Sequence, residues 1–369
     1  MTDAPSPLPS ALPFWVSMVL PVALVAGAML GGGWTLLATA LAWWLFIGAD
    51  ALAGPDPANA DPGTEDRALI WHRAVTLVWA PVQAATLFGL IFYLPRADNL
   101  SVTEVALLSV GLGAMSGTVG IVFAHELMHR TGRTERWLGD ILMAMALYGH
   151  FRSEHLLVHH RHVGTPQDPA TARRGEGFHR FLLRVVPTSF TSALAAEAER
   201  LGRAGRSPWN RRNPFWRYAA LQAGMLTAAL WLGGVTGLGI FAAQAVVAIW
   251  QLELVNYIEH YGLTRKHLGG GRYEPTRAHH SWNAAPWASN RLLLNLQRHS
   301  DHHVRPDRPF PLLQSYPTDV APRLPHGYPV MTLMALVPRL WRRRMDPRVR
   351  AWRRRHYPEI EDWGPYERP

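Results

Sequence analysis

Long apolar segments constrain the fold of this chain more than any other feature of its sequence. A helix needs about 20 predominantly apolar residues to cross the roughly 30 Å hydrocarbon core of a bilayer. Charged residues make up 17% of the 369 residues, against roughly 25% in ordinary soluble proteins. We therefore predict an all-α integral membrane protein with about six transmembrane helices and a cytoplasmic, helical, histidine-rich cap. The predicted helices cover residues 11–30, 31–48, 74–94, 105–124, 218–235 and 238–252.

The distribution of basic residues predicts how these helices cross the membrane. Of the 37 Lys and Arg residues, 34 lie in two stretches, residues 130–217 and 265–368. Short uncharged turns join neighbouring helices as hairpins, so six crossings leave both basic stretches on one side. Basic residues collect on the cytoplasmic side of membrane proteins, and we assign that side to the cytoplasm. We treat residues 1–369 as a single domain, whose cytoplasmic parts are residues 125–217 and 253–369.

The net charge of +10 also raises the question of nucleic acid binding. We find no nucleic-acid-binding motif, and the arginines flank apolar segments, where they contact lipid headgroups or set the topology. We therefore expect no nucleic acid partner. The chain has no cysteine, which excludes disulfides, thiolate zinc sites and cysteine-bound iron–sulfur centres. Any metal must be held by His, Asp, Glu or backbone oxygen.

Half of the 18 histidines fall into four groups that follow apolar segments or lie in the basic stretches. Residues three or four apart on a helix share a face. This spacing predicts that His125 projects together with His129, His155 with His159, and His299 with both His302 and His303. We expect the four groups to converge on one centre at the cytoplasmic ends of the helices. The nine candidate ligands are His125, His129, His155, His159, His160, His260, His299, His302 and His303.

Nine imidazoles are too many for one zinc ion, which takes three or four protein ligands. They suffice for two metals with four or five ligands each, and imidazole suits iron, copper, zinc and nickel alike. Metal-bound imidazoles usually donate their second N–H to a carboxylate or carbonyl. Carboxylates stand beside each group, and we predict this supporting role for Glu126, Glu154, Glu259 and Asp301. The other histidines are treated as structural, with His162 and His280 as the first exceptions to test.

The motifs formed by these residues resemble those of the membrane-bound alkane 1-monooxygenases, within the membrane fatty acid desaturase and hydroxylase superfamily. The superfamily's three boxes, HxxxH, HxxxHH and HxxHH, occur at residues 125–129, 155–160 and 299–303. More specific are NYIEHYGL at 256–263, LQRHSDHH at 296–303 and HHSWN at 279–283. Further matches are GTPQDPAT at 164–171, GYP at 327–329 and MDP at 345–347.

The resemblance implies that the nine histidines bind two non-haem iron ions. It also implies hydroxylation of the terminal methyl of medium- or long-chain alkanes to primary alcohols with O2. The hydrocarbon would enter from the membrane lipid, and electrons would come from a separate rubredoxin or ferredoxin with its reductase. The expected location is the bacterial inner membrane, with the metal site facing the cytoplasm. Alkane chain length, alkyl-aromatic preference and the donor's identity stay open.

Three other functions fit part of the pattern. HExxH at residues 125–129 is a zinc metalloprotease motif, with Glu126 as the general base, but it leaves seven grouped histidines unexplained. A fatty-acyl desaturase or hydroxylase would use the same histidine boxes. A non-catalytic metal-binding or transport protein is disfavoured, because transporter sites usually lie near the middle of the membrane.

Overall fold

A computed structural model describes residues 8–367 of the chain, which are mostly helical. In chain order the main helices are α1 (Leu12–Leu30), α2 (Gly32–Ala53), α3 (Asp66–Arg96), α4 (Val102–His129), α5 (Arg133–Met145), α6 (151–162), α7 (Phe178–Arg203), α8 (Phe215–His260), α9 (Trp287–Leu292), α10 (His299–Val304), α11 (Tyr328–Ala335) and α12 (Pro338–His356). Single helical turns occur at Leu8–Ala11, Ala278–His280, Phe310–Leu312 and Gly364–Glu367. Two short strands, His267–Gly269 and Arg272–Tyr273, pair antiparallel.

Among the described residues, five helices are long and apolar enough to cross a membrane: α1–α4 and α8. The first four correspond to the first four predicted segments, and α4 runs on from the predicted end at residue 124 to His129. Its start is fixed by a capping box, in which Ser101 Oγ accepts the N–H of Glu104 and the Glu104 carboxylate accepts the N–H of Ser101. The first two candidate histidines, His125 and His129, lie at the other end of this helix.

The fifth long helix, α8, folds back on itself where the sequence predicts a hairpin. A straight helix of its 46 residues would measure about 69 Å, more than twice the hydrocarbon core. Gly234 breaks it with φ 60° and ψ −154°. The Tyr218 hydroxyl near one end lies 3.0 Å from Ser153 of the cap, while the Leu232 carbonyl accepts from Arg96 at the far end of α3. Both ends of α8 thus lie at the cap, and the number of crossings in a bilayer stays a prediction.

Two glycines of α4 allow this helix to approach α8 closely. A Cβ atom at Gly113 would lie 2.5 Å from the Cβ of Val247, and one at Gly117 would lie 2.9 Å from the Cβ of Gln251. Any larger side chain would push the helices apart. This spacing of small residues serves helix packing, as its sequence pattern predicts.

The remaining helices form a cap over the ends of α4 and α8, and the loop between α2 and α3 is part of this cap. That loop is tied to the cap by Arg298, which donates to the Ala58 carbonyl at 2.8 Å, and by the ion pair of Asp66 with Arg130 at 2.9 Å. The last helix, α12, buries Trp341 and Met345 against the cap and turns many arginines outward. The histidine-rich cap is therefore present, and its assignment to the cytoplasm stays a prediction.

Candidate metal centre

The nine grouped histidines come together in two adjacent clusters where the cap meets α4 and α8. Each cluster brings its ligand atoms within 4.8 Å of one another. We call the cluster of five histidines site A and the cluster of four site B. Site A comprises His125, His129, His155, His160 and His302, and site B comprises His159, His260, His299 and His303.

The imidazoles of each site direct their Nε2 atoms toward a common centre. In site A, the Nε2 atom of His160 lies 2.9 Å from that of His155 and 3.1 Å from that of His302. In site B, the Nε2 atom of His299 lies 3.0 Å from those of His260 and His303. Ligands at right angles around an ion, with metal–nitrogen bonds of about 2.1 Å, would stand about 3.0 Å apart. Because a neutral imidazole has only one N–H, such rings of nitrogens fit a metal ion better than hydrogen bonding alone.

The histidines of α6 divide between the sites differently from the sequence prediction. We expected His155 and His159, four residues apart, to act together. Instead His155 and His160, five residues apart, meet in site A, while His159 belongs to site B. Residues 155–159 form a π-helical turn, whose i→i+5 hydrogen bonding brings residues five apart onto one face. The rings of His155 and His159 still stack with centroids 5.3 Å apart, so the turn connects the sites.

The histidines of α10 divide in a similar way. His299 and His303, four residues apart, both lie in site B, as their spacing predicts. His302 turns away from them, and its Nε2 atom lies 3.0 Å from that of His125 in site A. The spacing predicts that His299 projects together with both His302 and His303, but only His303 lies in the same site as His299. Helices α6 and α10 each contribute to both sites and fix them next to each other.

Asp168 contacts site B directly and was missed by the sequence analysis. Its carboxylate lies 3.0 Å from Nδ1 of His159 and accepts the Thr171 hydroxyl at 2.6 Å. Burial acts to raise the pKa of Asp168, but the charge and hydrogen bond of His159 outweigh it and leave this pKa below its ordinary value. An ionised carboxylate here fixes the tautomer of His159 and directs its Nε2 lone pair toward the site. The signal was its place in GTPQDPAT, nine residues after His159.

The four carboxylates predicted to support the histidines have different surroundings. Glu259 Oε1 lies 3.3 Å from Nδ1 of His299 and accepts the Tyr328 hydroxyl at 2.8 Å. Glu126 accepts the backbone N–H of Phe310, and Glu154 is buried with one oxygen that has no partner among the described residues. Asp301 accepts from Nη1 of Arg308 with both of its oxygens and also accepts the Tyr316 hydroxyl. The geometry brings Glu259 to a candidate ligand, and the roles of all four stay predictions.

Burial keeps the histidines of the cap in the form that binds metal. The pKa values of His155, His160, His299, His302 and His303 lie well below 6.5 because burial disfavours the charged imidazolium. The neighbouring imidazoles lower these values further. A neutral imidazole keeps the lone pair that a metal needs, so both sites are prepared for an ion near neutral pH.

Two apolar cavities lead from α2 to the histidines. The inner cavity, of about 430 Å³, touches histidines of both sites, and the outer cavity, of about 550 Å³, extends past Trp43 toward α11. They meet at a neck lined by Gly117, Val122, Val255 and Leu296. This arrangement suits an apolar chain whose end must reach the metal centre.

A third group of candidate ligands lies beneath the C-terminal helix, but its hydrogen bonds argue against a metal. The Tyr357 hydroxyl contacts Glu274, Nε2 of His279 at 3.0 Å and Nε2 of His280 at 2.7 Å. Nδ1 of His280 accepts the backbone N–H of Arg277, so the proton of this ring is on Nε2. A metal on that nitrogen would require a fully deprotonated ring. These hydrogen bonds therefore hold the end of α12 in place, and they account for His280 without a metal. We call the group of Tyr357, Glu274, His279 and His280 the latch.

Replacing Tyr357 with phenylalanine tests the latch. We expect the free energy of unfolding to fall by about 1–3 kcal/mol, because Glu274 and two imidazoles lose a buried hydrogen-bond partner. The metal content should stay unchanged. Thermal unfolding and elemental analysis of Tyr357→Phe measure the two quantities. Loss of one metal per chain would show instead that this group is a third metal site.

Comparison with known proteins identifies a matching family model and several similar proteins. The family model for fatty acid desaturases matches residues 101–334. The chain is 38% identical to alkane 1-monooxygenase 1 of Pseudomonas aeruginosa, over 82% of this chain and 79% of the relative. It is 36% identical to alkane 1-monooxygenase 2 of the same organism, over 91% of each. It is also 31% identical to the hydroxylase component of a xylene/toluene monooxygenase from Pseudomonas putida, over 69% and 68% of the two chains.

Proposed function

We propose a function on one premise: this chain belongs to the fatty acid desaturase family and, within it, to the alkane 1-monooxygenases. We propose that it hydroxylates the terminal methyl of medium- or long-chain alkanes to primary alcohols with O2. Sites A and B each hold one non-haem iron in this proposal. The protein lies in the bacterial inner membrane with both sites facing the cytoplasm, where a rubredoxin-type carrier and its reductase supply electrons.

One observation carries this proposal: two adjacent histidine sites stand at one end of an apolar passage. An alkane has no polar group to recognise, so the chain must select it by shape and by burial. Each buried methylene stabilises the complex by about 0.8 kcal/mol. The lining of the neck offers this kind of surface, and the sites lie beyond it.

Iron bound at the two sites would supply the activation of O2 and the oxidation of the C–H bond. The residues of the chain supply placement and protection. Val122, Val255 and Leu296 hold the alkyl chain in line, so that only its end reaches the inner cavity. The same apolar walls exclude water from the reacting carbon. Asp168 holds His159 of site B in position through Nδ1, and Glu259 lies 3.3 Å from Nδ1 of His299.

The metalloprotease alternative disagrees with the position of Glu126. This residue would have to face a metal-bound water in site A to act as a general base. It instead lines a separate cavity with Arg73, Arg130 and Glu135, and that cavity touches none of the nine histidines. The acyl desaturase alternative keeps the same metal sites and differs in product.

A panel of substrates tests the proposed function. The purified protein, loaded with iron and supplied with a rubredoxin, its reductase and O2, is given alkanes of several lengths, alkylbenzenes and an acyl lipid. Primary alcohols from alkanes are the expected products, identified by gas chromatography with mass spectrometry. An alkene from the acyl lipid, with alkanes unchanged, would support the desaturase alternative.

Val255 at the neck provides a test of the passage. A long alkane must extend through the neck while its end reacts, whereas a short alkane fits in the inner cavity alone. We expect Val255→Phe to lower the ratio of long- to short-alkane product about tenfold, since overpacking costs about 1–3 kcal/mol. The control is Val235→Phe, the same change at an exposed position of α8. An unchanged product ratio in Val255→Phe would remove the neck from the substrate path.

The electron carrier is proposed to dock where site A comes nearest to the surface. His129 and His160 are the partly exposed imidazoles of this site, and each is followed directly by an arginine, Arg130 and Arg161. An acidic carrier would be guided to such a surface. We expect turnover at limiting carrier to fall several-fold as ionic strength rises from about 0.02 to 0.5 M, because salt screens exposed charges. Turnover that does not depend on salt would contradict electrostatic docking.

A further inference from the structure

A large cavity with a mixed polar and apolar lining lies at the edge of the cap, apart from the apolar passage. It spans about 780 Å³, part of which is open to solvent. We call it the arginine cavity, because Arg291 and Arg298 line it together with Asp56 and Asn59 of the loop between α2 and α3. Its other walls come from the beginnings of α1 and α3, which are candidate membrane spans. The cavity therefore lies at the level where spans meet the cap.

The arginine cavity contains more buried positive than negative charge. The side chain of Arg298 is 4% exposed and that of Arg291 is 17% exposed, and both face the single carboxylate of Asp56. Arg291 pairs with it at 2.5 Å, whereas Arg298 approaches it only to 3.9 Å. The nearby Asp301 is already engaged, because both of its oxygens accept from Nη1 of Arg308. Two guanidinium groups thus share one counter-charge.

The other contacts of Arg298 do not neutralise it. Its terminal nitrogens donate to neutral oxygens, the carbonyls of Leu313 at 2.6 Å and Ala58 at 2.8 Å. Its Nε atom is buried without a hydrogen-bond partner among the described residues. A buried charge is costly unless it is paired, and a free guanidinium N–H leaves a donor unused. An anion in the cavity would satisfy both requirements.

The remaining carboxylates of the loop between α2 and α3 do not supply this anion. Each has another partner: Asp61 accepts the backbone N–H of Gly63, Glu65 pairs with Arg67, and Asp66 pairs with Arg130. None of the three lines the arginine cavity. Apart from Asp56, no carboxylate of this segment therefore compensates the positive charge of the cavity.

We propose that the arginine cavity binds a phosphate group. Phosphate oxygens match the forked donors of arginine in both charge and geometry. Phe14, Leu69 and Leu312 form an apolar part of the wall, which suits the alkyl portion of a phospholipid, while inorganic phosphate would use the polar part alone. The arginines would recognise the phosphate group of a phospholipid and of inorganic phosphate alike, and separate binding measurements distinguish the two.

A bound phosphate would connect the loop of Asp56 to the metal centre. Arg298 directly precedes His299 of site B and holds the loop through Ala58. The phosphate would complete the charge balance on the arginine that fixes both segments. This inference does not depend on the alkane reaction or on the identity of the metal.

Two substitutions with opposite effects test the proposal in the full-length protein. Arg291→Gln removes one positive charge, and we expect it to weaken phosphate binding at least about tenfold, since a charge-assisted hydrogen bond is lost. Asp56→Asn removes the competing carboxylate, and we expect it to tighten binding. Arg350→Gln, an exposed arginine on α12, is the matched control and should bind as the unaltered protein does.

Two measurements distinguish the sources of phosphate. Calorimetric titration of detergent-solubilised protein with inorganic phosphate measures the free ion. Native mass spectrometry after exposure to phosphatidylglycerol counts retained lipid. Binding of either probe, weakened by Arg291→Gln and strengthened by Asp56→Asn, supports the proposal. If neither probe binds, or if binding is equal in both variants, the cavity holds water only and the proposal is overturned.

Discussion

Replacing His260 with alanine is expected to empty site B and abolish alkane hydroxylation. This imidazole ends α8, is buried, and directs its Nε2 atom to within 3.0 Å of that of His299. Its loss leaves three ligands in the smaller site. Removal of an outer partner of a metal ligand already costs about 10–100-fold in affinity or activity. Loss of the ligand itself should therefore exceed that range.

Elemental analysis and hydroxylation assays of His260→Ala provide the measurement. The control is His326→Ala, which removes an exposed imidazole outside both sites. The control should retain both metals and full activity. A His260→Ala protein with undiminished iron and activity would remove this residue from the ligand set.

Replacing Asp168 with asparagine is expected to lower metal affinity at site B by about 10–100-fold while the protein stays folded. The amide keeps nearly the same shape and can still contact His159, but it lacks the charge that polarises the imidazole. Metal affinity is measured by competition with a chelator, and folding by thermal unfolding without metal. The control is Asp319→Asn, an exposed aspartate that belongs to neither site. Equal chelator resistance in the two variants would contradict the role of Asp168.

The sequence allowed the nine histidines to be identified as one assembly, because their groups follow helices that end at the same side. The sequence leaves open which histidines share a site. The α-helical spacing predicts that His155 and His159 share a face, whereas the π-helical turn at residues 155–159 brings His155 together with His160. The residue types at 155–159 do not predict a π-helical turn. The division depends on local hydrogen bonding that appears only in the folded chain.

Asp168 and the arginine cavity are two further features that could not be predicted from the sequence. Asp168 reaches His159 from a loop, where no helical or strand periodicity relates two positions. Arg291, Arg298 and Asp56 are brought together from segments more than 200 residues apart. Such contacts follow from the path of the whole chain. By contrast, the turn at Gly234 depends on neighbouring residues, and the sequence predicts a short uncharged turn between two apolar segments there.

We propose that each of the two histidine sites holds one iron. The direct measurement is the metal content per chain of protein purified from iron-supplied cells, with Mössbauer spectroscopy to identify the environment of the iron. We expect two irons per chain in nitrogen-rich environments, both lost on chelation together with alkane hydroxylation. A single zinc per chain, with peptidase activity and no effect of iron on hydroxylation, would contradict it.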